Sequence, residues 1–153
     1  MLENGEVQPA FRSATAPISG WPLRLMMGLV AIVPLTLIGV AANLTPDVDG
    51  LGTHQQLGLP PCTMRVVFGI RCPACGMTTA WSHFGRGQWP SGFSSNIAGF
   101  LLAALAVAFA PIAVRAAWTG RMPDRKIQNL ATLALVMIGA IATAQWLVLV
   151  TLK

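Results

Sequence analysis

The residues of this 153-residue chain that can do chemistry are three cysteines and two histidines. Cys72 and Cys75 form a Cys-x-x-Cys pair within Arg71-Cys72-Pro73-Ala74-Cys75-Gly76, and Cys62 lies upstream. Proline is favoured at the first helical position and Gly85 is a natural stop, so the spacing predicts a short helix over residues 73–84. Met77, Ala80, Trp81 and Phe84 then fall at i, i+3, i+4 and i+7 and form an apolar face. Thr78, Thr79, Ser82 and His83 occupy the other face. On such a helix Cys72 is the N-cap and Cys75 the third residue, positions that meet across a first turn as the two halves of a capping box do. Free amides and the helix dipole there favour a thiolate on Cys72.

Three chemistries fit these residues. A structural disulfide can join Cys62 to Cys72 or to Cys75, and the odd count then leaves one thiol over. A redox-active Cys72–Cys75 pair would exchange disulfides with a partner, with Cys72 as the attacking sulfur and Cys75 as the resolving one. A zinc ion can be held by Cys62, Cys72, Cys75 and His54, a known structural ligand set. His83 cannot join that set on the expected helix. It lies eight residues beyond Cys75, about 12 Å at 1.5 Å per residue, whereas bonds to zinc are about 2.0–2.3 Å. The ordinary alternative for His54 is a loop histidine with no ligand, and for Met77, Trp81 and Phe84 it is packing.

The elements that position this segment belong to a membrane. Apolar residues make up 54% of the chain and charged residues 10%, far below the roughly 25% charge of a soluble domain. Uncharged apolar stretches over residues 25–44, 97–114 and 130–152 each approach or reach the ~20 residues that cross about 30 Å of hydrocarbon as a helix, which gives spans over about 25–44, 96–115 and 130–152. Arg115 marks the end of the second. Pro34 and Pro111 are tolerated when neighbours satisfy the freed carbonyls. Small residues line the second span (Ala98, Ala103, Ala104, Ala106, Ala108, Ala110) and the third (Gly139, Ala140, Ala142, Ala144), where they permit close helix approach. The expected architecture is an all-α membrane protein. It has a flexible cytoplasmic tail over residues 1–23 and one membrane domain over 24–153. The short amphipathic helix sits in a cysteine-rich loop over 45–95, between the first two spans.

Net charge is +5. The basic residues are scattered and do not form the run that tracks a phosphate backbone, which excludes nucleic acid as the expected partner. They set orientation instead. Arg12, Arg24, Arg115, Arg121, Arg125 and Lys126 fall on one side of a three-span protein, and Arg65, Arg71, Arg86 and Lys153 on the other. The positive-inside rule places the first group in the cytoplasm and the cysteine loop outside. A cleaved signal peptide fits poorly, because the first apolar stretch exceeds a signal core and the tail before it carries Glu3 and Glu6.

The run Gly69-Ile70-Arg71-Cys72-Pro73-Ala74-Cys75-Gly76-Met77-Thr78-Thr79-Ala80, followed by Gly85-Arg86-Gly87 and Asn96, resembles a bacterial family of small membrane proteins known as domain of unknown function 2752. Its signature reads roughly TG-x-x-CP-x-CG-x-TRA, then Gly-Asp, then Asn-Pro before an apolar helix, and an upstream cysteine matches Cys62. The resemblance covers about residues 60–105. Thr79 stands where the family has Arg, Gln88 where it has Asp and Ile97 where it has Pro, so a charged pair at those positions does not carry over. The resemblance implies a bacterial inner-membrane protein focused on its cysteines and carries no reaction.

No nucleophile–base pair, glycine-rich phosphate loop or intramembrane carboxylate is present. Glu3, Glu6, Asp47, Asp49 and Asp124 all lie outside the spans. The expectation is a non-enzymatic accessory or assembly subunit with a disulfide- or zinc-stapled loop. Its partners would be the bilayer and another membrane or periplasmic protein. Thiol–disulfide exchange and metal handling are the alternatives.

Overall fold

A computed structural model describes residues 20–152. Most of the expected tail lies outside them, and residues 21–23 already belong to the first helix. Among the described residues there are six α-helices: α1 (Trp21–Asn43), α2 (Thr63–Phe68), α3 (Met77–Gly85), α4 (Trp89–Ser95), α5 (Ile97–Thr119) and α6 (Arg125–Thr151). A 3₁₀ turn over Thr53–Leu57 lies between α1 and α2. The helices α1, α5 and α6 are each long and apolar enough to cross a membrane, close to the expected bounds.

The first two spans form the packed pair. Ala31 and Ala41 of α1 are buried, as are Ala98, Ala103, Ala110, Ala113 and Ala116 of α5. Alanine side chains let two backbones approach where lipid provides no hydrophobic drive for association. Helices α5 and α6 also pack against each other, and the small residues of α6 divide: Ala142 is half-buried, whereas Gly139, Ala140 and Ala144 are exposed. Gly139 has open space around its Cα, and no residue of α6 is buried within this chain.

The loop between α1 and α5 is more helical than expected, with α2, α3 and α4 where one helix was foreseen. The expected 73–84 helix is also corrected: α3 begins at Met77, after Gly76. Residues 72–76 form tight turns instead, with the Cys75 amide donating to the Cys72 carbonyl at 3.0 Å and the Met77 amide to the Ala74 carbonyl at 3.1 Å. Pro73 suits the second position of such a turn as well as it suits a helix start, which is why the sequence was ambiguous.

Helix α3 sits between α1, α4 and α5. Its apolar face packs on α5 and α4: Phe84 meets Phe100 edge-on with centroids 5.1 Å apart, and Trp81 Nε1 donates to the Gly99 carbonyl at 2.9 Å. Half of its polar face, Thr79 and Ser82, is also buried. Ser82 donates to the Leu44 carbonyl at 2.7 Å, and Arg86 donates to the Ala42 and Leu44 carbonyls at 3.2 and 2.8 Å. These bonds cap the end of α1, where unpaired carbonyls and the helix dipole favour a cation. Gly85 permits the approach, since a Cβ there would lie 2.5 Å from Ala42 Cβ.

Candidate functional site

The site is built from three turns. Cys62 takes the N-cap position of α2, which ends at Gly69 in the left-handed region. The chain returns through Ile70 and Arg71, whose carbonyl accepts a 2.7 Å hydrogen bond from Trp146 Nε1 of α6. The 72–75 turn then brings Cys72 and Cys75 face to face. Their Sγ atoms are 3.2 Å apart, and the Cys72 amide donates to Cys75 Sγ at 3.3 Å. Cys62 Sγ completes the group, with all three sulfurs within 4.8 Å of one another. The sulfurs are free thiols, each partly exposed.

Two residues lock this turn in place. Gly76 adopts φ +86°, and a Cβ there would meet the Ser95 carbonyl at 2.7 Å and the Gly50 carbonyl at 2.9 Å. Asn96 is 3% exposed and works in two directions. Its Oδ1 accepts from the Gly99 amide at 2.7 Å and caps α5, while its Nδ2 donates to the Cys75 and Pro73 carbonyls at 3.0 and 3.3 Å. Sequence reasoning gave Asn96 no role. A signal was available, because Asn directly before an apolar run is a common N-cap.

Thr79 is buried and faces Thr53, with the two hydroxyl oxygens 2.8 Å apart. Thr53 Oγ1 accepts from the Asp47 amide at 3.1 Å. A neutral hydroxyl pair therefore ties the 45–57 segment to α3.

The thiols are electrostatically unequal. The Arg65 amide and the Cys72 thiol stabilise the Cys62 thiolate and pull its pKa down to about 7. Burial, followed by the neighbouring Cys72 thiol, pushes Cys75 up to about 12. The amide-rich helix N-terminus expected for Cys72 belongs to Cys62, because α3 starts too late to cap Cys72.

The sulfurs line a cavity of about 180 Å³ together with His54, Gln55, Arg65 and Thr78. His54 shares this cavity, but its Nε2 lies 3.3 Å from the Pro60 carbonyl, and the converging ligand group among the described residues consists of the cysteines. His83 lines a separate cavity with Asp47, Asp49 and Arg71, and its Nδ1 is 2.7 Å from Gln88 Oε1. Gln88 thus contacts α3 through an uncharged amide.

Three converging thiols can hold a soft cation or pass through disulfide states. Tetrahedral thiolate ligation, with bonds near 2.3 Å, places sulfurs about 3.8 Å apart. The 3.2 Å separation of Cys72 and Cys75 and the 4.8 Å limit for the group bracket that spacing. No curated protein and no solved structure matches the chain. Residues 62–110, from the first cysteine through the turn, α3 and α4 and into α5, match the model of the family described as Protein of unknown function (DUF2752), the family that the cysteine signature resembles.

Proposed function

We propose that this protein is a non-enzymatic accessory or assembly subunit of the inner membrane whose extracytoplasmic loop carries a soft-metal site on Cys62, Cys72 and Cys75. The observation that carries the reading is the convergence of three sulfurs, not two, within 4.8 Å. A single disulfide would need only two of them. Thiolates select soft or borderline cations such as zinc or copper(I), and three protein ligands leave a coordination position open. The adjoining cavity leaves room for a fourth ligand, either His54 after a ring rotation or a donor from a partner membrane or periplasmic protein.

Metal content of the full chain, purified in detergent without chelator, tests this directly. The expected result is one zinc or copper per chain, lost in Cys62→Ser and in Cys75→Ser, with three thiols alkylated after chelation. Absence of binding when either metal is added to reduced protein overturns the reading.

The 3.2 Å contact of Cys72 and Cys75 supports a second reading, thiol–disulfide exchange. A partner disulfide would oxidise the two thiols to one disulfide, with two electrons and two protons passing to the partner's thiols. Alkylation that finds two masked thiols released only by reductant, together with a mixed disulfide trapped in a single-cysteine variant, would favour it over the metal site.

A further inference from the structure

The far end of the α5–α6 pair carries a feature unrelated to the cysteines. Helix α5 ends at Gly120 in the left-handed region, and the chain turns through Arg121, Met122 and Pro123 into α6. An open groove of about 590 Å³ lies between the two helices there. Pro111, Ile112 and Ile127 supply apolar walls, and Arg115, Arg121 and Asp124 are its charged members. Pro111 lies eight residues before Thr119, so the groove runs about 12 Å along the helix axis, from the link into the apolar span.

Three observations converge on an anion. Among the described residues neither the Arg115 nor the Arg121 guanidinium has an ion-pair or hydrogen-bond partner. Asp124 stands at the N-cap of α6 without making a side-chain cap bond, so the first amides of a 27-residue helix remain free for a ligand. The Arg24 guanidinium also approaches this link, close enough that a Cβ on Gly120 would meet its Nε at 3.0 Å. Arg24, Arg115 and Arg121 thus lie at a link whose groove holds one acid, Asp124, a local excess of positive charge that an anion would offset. Trp118, 84% exposed, stands at the same level and suits the membrane interface.

We propose that this groove binds the phosphate headgroup of an anionic phospholipid, with the headgroup between Arg115, Arg121 and the first turn of α6 and the upper acyl chain along Ile112 and Ile127. The apolar walls favour a lipid over free phosphate. Basic pockets between membrane helices recognise headgroups in this way.

Native mass spectrometry of the full chain in detergent, titrated with phosphatidylglycerol or phosphatidylcholine, tests the site. The wild type should retain one phosphatidylglycerol in preference to phosphatidylcholine, and millimolar inorganic phosphate should not displace it. Combined Arg115→Gln and Arg121→Gln should weaken phosphatidylglycerol about 30-fold, as two surface arginines warrant, and leave phosphatidylcholine unchanged. Ile112→Trp, which fills the groove and keeps every charge, should weaken it as well, and it stands as the readout if the double variant does not fold. Arg71→Gln, at the opposite end of the bundle, should bind as the wild type does. Equal retention of the two lipids, displacement by free phosphate, or an equal loss in Arg71→Gln would overturn the proposal.

Discussion

Asn96 Nδ2 lies 3.0 Å from the Cys75 carbonyl, and the same side chain caps the second membrane span through Oδ1. The geometry of the thiol turn is thereby fixed to the start of a rigid helix, as a site needs if its ligands are to stay in place. Asn96→Ala should lose the cap, worth about 1 kcal/mol, and leave two carbonyls without their donor at about 1–3 kcal/mol more. Asn96→Asp keeps the cap acceptor and removes the donors. Denaturation in detergent should rank the variants wild type, Asp, Ala, and metal affinity should follow that order. An Asp variant equal to wild type in both would mean that the bonds to Pro73 and Cys75 contribute nothing.

Gly76 and Gly58 separate two costs of adding a side chain at positive φ. Gly76→Ala meets backbone carbonyls at 2.7 and 2.9 Å, whereas Gly58, at φ +75°, has nothing within 4 Å. Strain alone costs about 1–2 kcal/mol, so Gly58→Ala should fold with a modest loss. Gly76→Ala should fail to accumulate or should lose the thiol cluster, seen as unrestricted alkylation of all three cysteines. Equal stability of the two variants would contradict the close packing of the 72–76 turn against Ser95 and Gly50.

Alkylation of reduced, metal-free protein should depend on pH residue by residue. The thiolate is the reactive form, so a lowered pKa moves reactivity to lower pH and a raised one to higher pH. Cys62 should gain reactivity with a midpoint near pH 7, and Cys75 should stay slow until the pH approaches 12. Peptide mass mapping after timed labelling reads each site. Cys75 labelling ahead of Cys62 at pH 7 would show that the amides around Cys62 do not hold its charge.

Orientation is checked by reporter fusion. A reporter enzyme active only outside the cytoplasm should work when inserted near Gly58, in the cysteine loop, and fail near Gly120. The reverse pattern would place the thiols in the reducing compartment, where a redox role loses its oxidant and a metal role does not.

Composition and hydropathy were enough to determine the three spans, since the lipid demand that every backbone group be satisfied within a segment leaves helix as the outcome for a long uncharged stretch. That α1 packs most closely on α5 was not legible. Small residues lie in both α5 and α6, yet those of α5 are the fully buried ones, because α5 packs against α1, α3, α4 and α6 whereas α6 packs on α5. The sequence also singled out Cys62, Cys72 and Cys75 and gave their spacing. It could not place Cys62, since the path from 62 to 72 turns on α2 and on Gly69. It misassigned residues 73–76 to a helix because proline starts helices and turns alike, and the deciding contacts, Gly76 against Ser95 and Gly50 and Asn96 against Cys75, join residues about 20 or more positions apart. The residue types fixed the chemistry on offer. The tertiary structure decided which sulfur carries the charge, because pKa follows the amides and burial around each thiol, and those come from the fold.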